Sequence, residues 1–185
     1  MSNKIVLVGF MGCGKSTIGK MISEMRQIPF WDTDEWIEHQ QKKSITEIFH
    51  TDGEERFREM ETECLEHFQQ ETGNLVLATG GGLPEGGSNP TFSRWRGEKN
   101  RKMLKDLGTV FYLSVTPQEV FQRLRQDTTR PLLQVENPME EIRRLMERRE
   151  AYYAQCADYR VEVSDRTKEE IVEEILEKYE RGEAK

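Results

Sequence analysis

The sequence predicts a three-layer α/β fold built on a central five-stranded parallel sheet, and three observations point to it. Short apolar runs such as residues 5–8 (Ile-Val-Leu-Val) and 75–78 (Leu-Val-Leu-Ala) lack polar alternation, as strands covered on both faces do. Longer stretches of helical periodicity separate these runs, and the resulting alternation of strand and helix belongs to parallel sheets. A length of 185 residues suits one hydrophobic core, so residues 1–185 read as a single domain.

Taken in order, strands are expected near 4–8, 29–31, 75–78, 109–114 and 160–163. Helices are expected at about 15–27, 33–41, 45–50, 53–72, 98–107, 117–126, 138–156 and 167–181, several opening with Ser, Thr or Asp at a capping position. Ile171, Val172, Ile175 and Leu176 share one face of the last helix, which marks that face as core. Residues 83–97 are rich in Gly, Pro, Ser and Asn and predict a loop. Residues 126–137 lack helical periodicity between two helical stretches, and a mobile lid is expected at about 126–138.

The 34 acidic against 27 basic side chains give a formal net charge of −7, which argues against nucleic-acid and anionic-membrane partners. The apolar runs are too short to span a bilayer. The chain enters its first strand within a few residues, leaving no room for a leader, so cytoplasmic residence is expected. A monomer is expected. Cys13, Cys64 and Cys156 are odd in number and widely separated, which favours neither a disulfide framework nor a zinc site. His39, His50 and His67 lie among polar, helix-like residues and are assigned no function.

Residues 9–16, Gly-Phe-Met-Gly-Cys-Gly-Lys-Ser, match G-x-x-x-x-G-K-[ST] directly after a strand and directly before a helix. In such a loop glycines let the backbone aim successive N–H groups inward, and the following helix adds unpaired donors and the positive end of its dipole. The loop therefore predicts an ATP cradle formed by Gly12, Cys13, Gly14, Lys15, Ser16 and Thr17. Lys15 would reach the β and γ phosphates, and the Ser16 hydroxyl would ligate Mg²⁺. Within it, Cys13 reads as a small side chain filling a loop position rather than as a reactive thiol.

At Asp32 and Asp34 the second strand ends in two carboxylates one residue apart. In an extended segment they point to one side, toward the ligand region beyond the carboxyl ends of the strands. Helix capping by Asp32 or Thr33 explains the same residues nearly as well. Gly80, Gly81 and Gly82 follow the strand at 75–78, where the absence of Cβ atoms lets backbone approach a ligand. Arg58 alone, in Glu-Glu-Arg-Phe-Arg-Glu, reads as part of a solvated helix face.

In order along the chain, G-F-M-G-C-G-K-S-T, F-W-D-T-D-x-x-I-E, I-F-x-x-x-G-E-x-x-F-R, the triple glycine and R-P-L-L resemble the shikimate kinases over nearly the whole length. The resemblance implies a P-loop kinase fold of the nucleoside monophosphate kinase type, with ATP, Mg²⁺ and shikimate as ligands. It implies that Asp32 holds Mg²⁺ through water and that Asp34 binds the attacking hydroxyl, either orienting it or taking its proton late. It implies that Arg58 and Arg149 grip the acceptor carboxylate, with Arg148 the fallback for the second position, and that Gly80, Gly81 and Gly82 lie against the acceptor. The acceptor-binding helical region would span about 33–61. Arg130 in the lid would reach the transferring phosphate, while Arg123 and Arg166 would border the adenine. Glu61, one turn beyond Arg58, is placed either to orient that guanidinium or to make an exposed helical ion pair.

The connection after the triple glycine is longer than the family's usual one, which puts acceptor identity in question more than ATP use. A surface excursion over residues 83–96 is expected ahead of a second flap carrying Arg94 and Arg96 or an oligomer contact through Phe92 and Trp95. The leading expectation is transfer of the ATP γ-phosphoryl group to shikimate. Its rivals are a kinase for another polyol acid such as gluconate and a regulatory module that holds ATP without chemistry. Intact Lys15, Ser16, Asp32 and Asp34 weigh against the last.

Overall fold

The computed structural model describes residues 4–125 and 135–183. In chain order they form β1 (Lys4–Gly9), α1 (Lys15–Arg26), β2 (Phe30–Asp32), α2 (Thr33–Gln41), α3 (Ile45–Thr51), α4 (Gly53–Gln70) and β3 (Leu75–Ala78). There follow α5 (Ser93–Leu107), β4 (Thr109–Ser114), α6 (Pro117–Leu124), α7 (Pro138–Cys156), β5 (Tyr159–Glu162) and α8 (Lys168–Glu183). The five strands make one sheet in the order β2-β3-β1-β4-β5, every pairing parallel.

Strand β1 is buried along its whole length because it lies at the centre of the sheet with helices on both faces. On one side α1 packs against α8; on the other α4, α5 and α7 form a continuous layer. Ile5, Leu7, Leu77, Val110 and Phe111 are fully covered between those layers, as the unbroken apolar runs require. Lys4 begins the central strand yet is buried: its Nζ donates to the carbonyls of Phe68 and Glu71 at 2.7 Å each, placing positive charge at the C-terminal end of α4.

Two expectations are corrected here. Helix α5 begins at Ser93 rather than near residue 98, because the Asn89 carbonyl accepts from the Phe92 and Ser93 amides and the Phe92 carbonyl then accepts from the Arg96 amide, which together wind the chain into helix. The stretch 83–96 is not a surface excursion as a whole, since residues 82–87 are buried and only those from Ser88 to Trp95 are largely exposed. Phe92 and Trp95 are indeed among the exposed aromatics. Most of the proposed lid, together with Arg130, lies outside the described residues. Among the described residues no helix is long and apolar enough to cross a membrane.

Candidate active site

The site forms where the chain crosses from β1 to α1. Gly9 ends the strand with φ +148°, and a Cβ there would stand 2.6 Å from the Leu113 carbonyl oxygen of the neighbouring strand. Gly12 and Gly14 take positive φ values of 76° and 99°, which turn the loop sharply into α1. Helix α1 starts at Gly14 without a side-chain cap, so its first amides point into the loop unmasked. Lys15 is buried, and its Nζ donates to the carbonyls of Gly9 at 2.8 Å and Phe10 at 3.0 Å, which folds the ammonium over the loop's own concavity. Cys13 is buried as well, consistent with a packing role.

Ser16, in the first turn of α1, donates its hydroxyl to Asp32 Oδ2 at 2.6 Å. Asp32 Oδ1 accepts from the Asp34 amide at 2.9 Å and so caps α2. The expectation that both carboxylates share one side of an extended segment is therefore corrected: Asp34 already lies in the first turn of α2, because Asp32 supplies the cap that starts the helix. Capping and site geometry are compatible, since Asp32 and Asp34 both line the cavity beside the loop. A hydroxyl and a carboxylate in contact are hard oxygen donors of the kind Mg²⁺ takes from a protein when phosphates and water complete its octahedron. Among the described residues no group of three or more His, Cys, Asp or Glu is arranged to hold a metal by itself.

Arg58 does not sit on a solvated helix face. It is buried, its NH1 donating to Glu61 Oε2 at 2.9 Å and its Nε and NH2 to Glu54 Oε1 at 3.2 Å each. Among the described residues these bonds use three of its five N–H donors and leave one on each terminal nitrogen, enough for a two-point grip on a carboxylate. The two carboxylates raise the guanidinium's already high pKa, although burial acts against them. Glu61 is wholly buried, so its role is to hold that guanidinium and not to make a surface pair; burial drives its carboxyl above the usual range while Arg58 opposes the shift. Its Oε1 makes no hydrogen bond among the described residues.

The glycine run explains itself by packing. A Cβ on Gly80 would stand 2.6 Å from Glu61 Oε1 and 2.8 Å from Asp34 Oδ1, and one on Gly82 would stand 2.6 Å from Arg58 NH1. Gly81 presents its backbone to the phosphate loop, 3.2 Å from the Met11 nitrogen on the same measure. These glycines admit functional side chains as well as any ligand. The Gly80 amide donates to Thr33 Oγ1 at 2.8 Å, and the Gly81 carbonyl accepts from the Tyr153 hydroxyl at 2.5 Å, so the run is tied to α2 and α7.

Arg149, on α7, is 2% exposed, lines the cavity and lies over the Phe10 ring. Arg148 is the more exposed of the two and does not line the cavity, which separates the paired arginines. Arg123 donates to the Gly12 carbonyl at 2.9 Å and pairs with Glu119; Arg166 donates to the Glu162 and Glu170 carbonyls and pairs with Glu174. Both reach the loop's outer end of the cavity, where Thr17 is exposed. Sequence reasoning passed over Glu54 and Glu85 as ligands of the two buried arginines. Nothing in their local pattern differs from a charged surface.

The whole cavity measures about 820 Å³ and is continuous from Arg166 past the phosphate loop to Arg58 and Arg149.

A family profile described as shikimate kinase matches residues 11–180. A shikimate kinase of Thermodesulfovibrio yellowstonii is 40% identical over 177 residues, covering 96% of this chain and 95% of its own. One from Bacillus cereus strain G9842 is 40% identical over 174 residues, covering 94% and 96%. The solved shikimate kinase of Acinetobacter baumannii in complex with shikimate superposes with a TM-score of 0.88 at 34% identity, covering 100% of this chain and 97% of that one.

Proposed function

This chain belongs to the shikimate kinase family, and we propose that it transfers the γ-phosphoryl group of ATP to a hydroxyl of shikimate, giving shikimate 3-phosphate. The observation that carries this reading is the convergence, in one cavity, of an uncapped phosphate loop with two buried arginines that line it.

In this reading the loop amides of Gly12 to Thr17 hold the ATP phosphates, and Lys15 leaves the loop carbonyls to neutralise the charge of the transferring group. Arg123 and Arg166 border the base. Ser16, and Asp32 through water, would hold Mg²⁺, whose charge would offset that of the phosphates. Asp34 orients the attacking hydroxyl beside Gly80, Gly81 and Gly82, and Arg58 with Arg149 holds the acceptor carboxylate so that the hydroxyl lies in line with the phosphoryl group. Arg130 completes the charge stabilisation from the lid. The enzyme is read as a cytosolic monomer that handles no nucleic acid, the acidic balance of the chain supporting the last point.

The test is a coupled assay of ADP release with Mg-ATP against shikimate, quinate, gluconate and buffer. Strong turnover with shikimate alone is expected, and Lys15→Ala should abolish it. Turnover with gluconate but not shikimate would overturn the acceptor assignment.

A further inference from the structure

The buried stretch after the triple glycine holds a carboxylate that the reaction as described leaves without a role. Glu85 is 7% exposed and lies against α7, where its Oε2 accepts from Arg149 Nε at 2.8 Å and its Oε1 pairs with Arg148 Nε at 2.6 Å. Burying a carboxylate is costly unless charge and hydrogen bonds compensate, and here two guanidinium groups do so, one at each oxygen.

The backbone around Glu85 is fastened from several directions. The Gly82 carbonyl accepts from the amides of Glu85 and Gly86 at 3.1 Å each. Three side chains of α5 donate to the stretch: Asn100 to the Leu83 carbonyl at 3.0 Å, Arg101 to the Pro84 carbonyl at 2.7 Å and Arg96 to the Gly86 carbonyl at 2.9 Å. Arg96 is itself buried and reaches Glu55 on α4 at 3.0 Å. Gly86 takes φ +84°, and a Cβ there would stand 2.4 Å from the Gly97 nitrogen. These bonds fix the backbone that carries Glu85, while Arg148 and Arg149 hold its carboxylate.

The choice of nitrogen matters. Glu85 engages Arg149 through Nε, and among the described residues the terminal nitrogens of Arg149 make no hydrogen bond. The guanidinium is therefore gripped by its inner edge, and the outer edge, two parallel N–H groups, is left for an acceptor carboxylate. Arg148 neutralises the other oxygen, so Glu85 can orient Arg149 without cancelling its charge.

We propose that Glu85, carried by the longer connection after the triple glycine, is a positioning residue that orients Arg149 toward the acceptor carboxylate. This rests on the acceptor reading given above. The experiment compares Glu85→Gln with the unaltered enzyme, using shikimate and its neutral methyl ester as acceptors. Loss of the oriented grip should raise KM for shikimate on the order of tenfold while kcat and KM for ATP stay within about twofold. The preference for shikimate over the ester, as a ratio of kcat/KM, should fall by the same factor, and the effect should vanish in an Arg149→Ala background. Equal losses on acid and ester, or a loss that persists without Arg149, would overturn the proposal and leave Glu85 a purely structural residue. If Glu85→Gln unfolds, Glu85→Asp, which keeps the charge but shortens its reach, is measured in the same way with the same expectations. No turnover of shikimate by the unaltered enzyme would overturn the acceptor reading, and this inference with it.

Discussion

Substituting Gly80 by alanine adds one methyl group at the point where the two halves of the site touch. The new Cβ would stand 2.6 Å from Glu61 Oε1 and 2.8 Å from Asp34 Oδ1, so one or both carboxylates must retreat by roughly 0.8 Å to reach ordinary contact. Neither can give way cheaply: Glu61 is fully buried against Arg58, and the Asp34 amide is fixed by the Asp32 cap. Gly80 is not in the left-handed region, so the penalty is steric and falls on the site itself. In the proposed reaction Asp34 orients the attacking hydroxyl, and a displacement approaching 1 Å at such a group costs about a hundredfold in rate, or about 2.7 kcal/mol of barrier. Stability should fall by about 1 to 3 kcal/mol, the usual range for an overpacked position. In the coupled ADP-release assay, kcat with shikimate should drop by about that hundredfold while the affinity for ATP, read by calorimetry, stays within about threefold, because the phosphate loop is untouched. A kcat within about twofold of the unaltered enzyme would refute the argument that Asp34 and Glu61 are held in place by the missing Cβ. An equal loss of ATP affinity would show that the disturbance spreads through Gly81 to the loop.

Three further outcomes are expected. Arg58→Met strands the buried Glu61 carboxylate and should lower stability by about 3 to 5 kcal/mol in urea unfolding, whereas adding Glu61→Leu should recover much of it without restoring acceptor binding; single and double variants of equal stability would contradict the buried pair. Burial pushes the Glu54 carboxyl up, but the hydrogen bond from Ser88 and the charge of Arg58 more than offset it and hold it below the usual 4.5. Its folded value therefore lies below its unfolded one, so it contributes stability above about pH 4.5 that is lost as pH falls toward the folded value, and Glu54→Gln should flatten the acid limb of Tm against pH. Burial raises the Cys64 thiol beyond its ordinary range and lifts Cys156 up to about 11, so neither should react with a thiol reagent at about pH 8 until the protein is unfolded; rapid labelling of either in the native enzyme would contradict the packing.

Much of this molecule was legible in the chain before any coordinates. The parallel sheet followed from unalternating apolar runs, and the phosphate loop from glycines whose spacing permits one backbone path between β1 and α1. These are local signals: the residues that specify them are the residues that adopt them. Asp32 and Asp34 were legible as a pair, and so was a helix cap at Asp32 or Thr33; that the capping carboxylate also lines the cavity was not, because one residue meets both demands.

Where the two arginines stand was decided only by the fold. Arg58 looks like any charged helical residue, and it is buried because α4 packs against α5 beneath the stretch 82–87, an association between segments far apart in the chain. Arg148 and Arg149 are neighbours of identical chemistry, and the rotation of α7 against the sheet sends one inward to the cavity and leaves the other at the rim. Glu85 had no local mark at all: Gly-Pro-rich composition predicts a loop, but not that the loop turns inward to deliver a carboxylate. A sequence records which groups are available, whereas burial and pairing depend on what the rest of the chain brings to them, and that long-range term fixes which charges become a binding site.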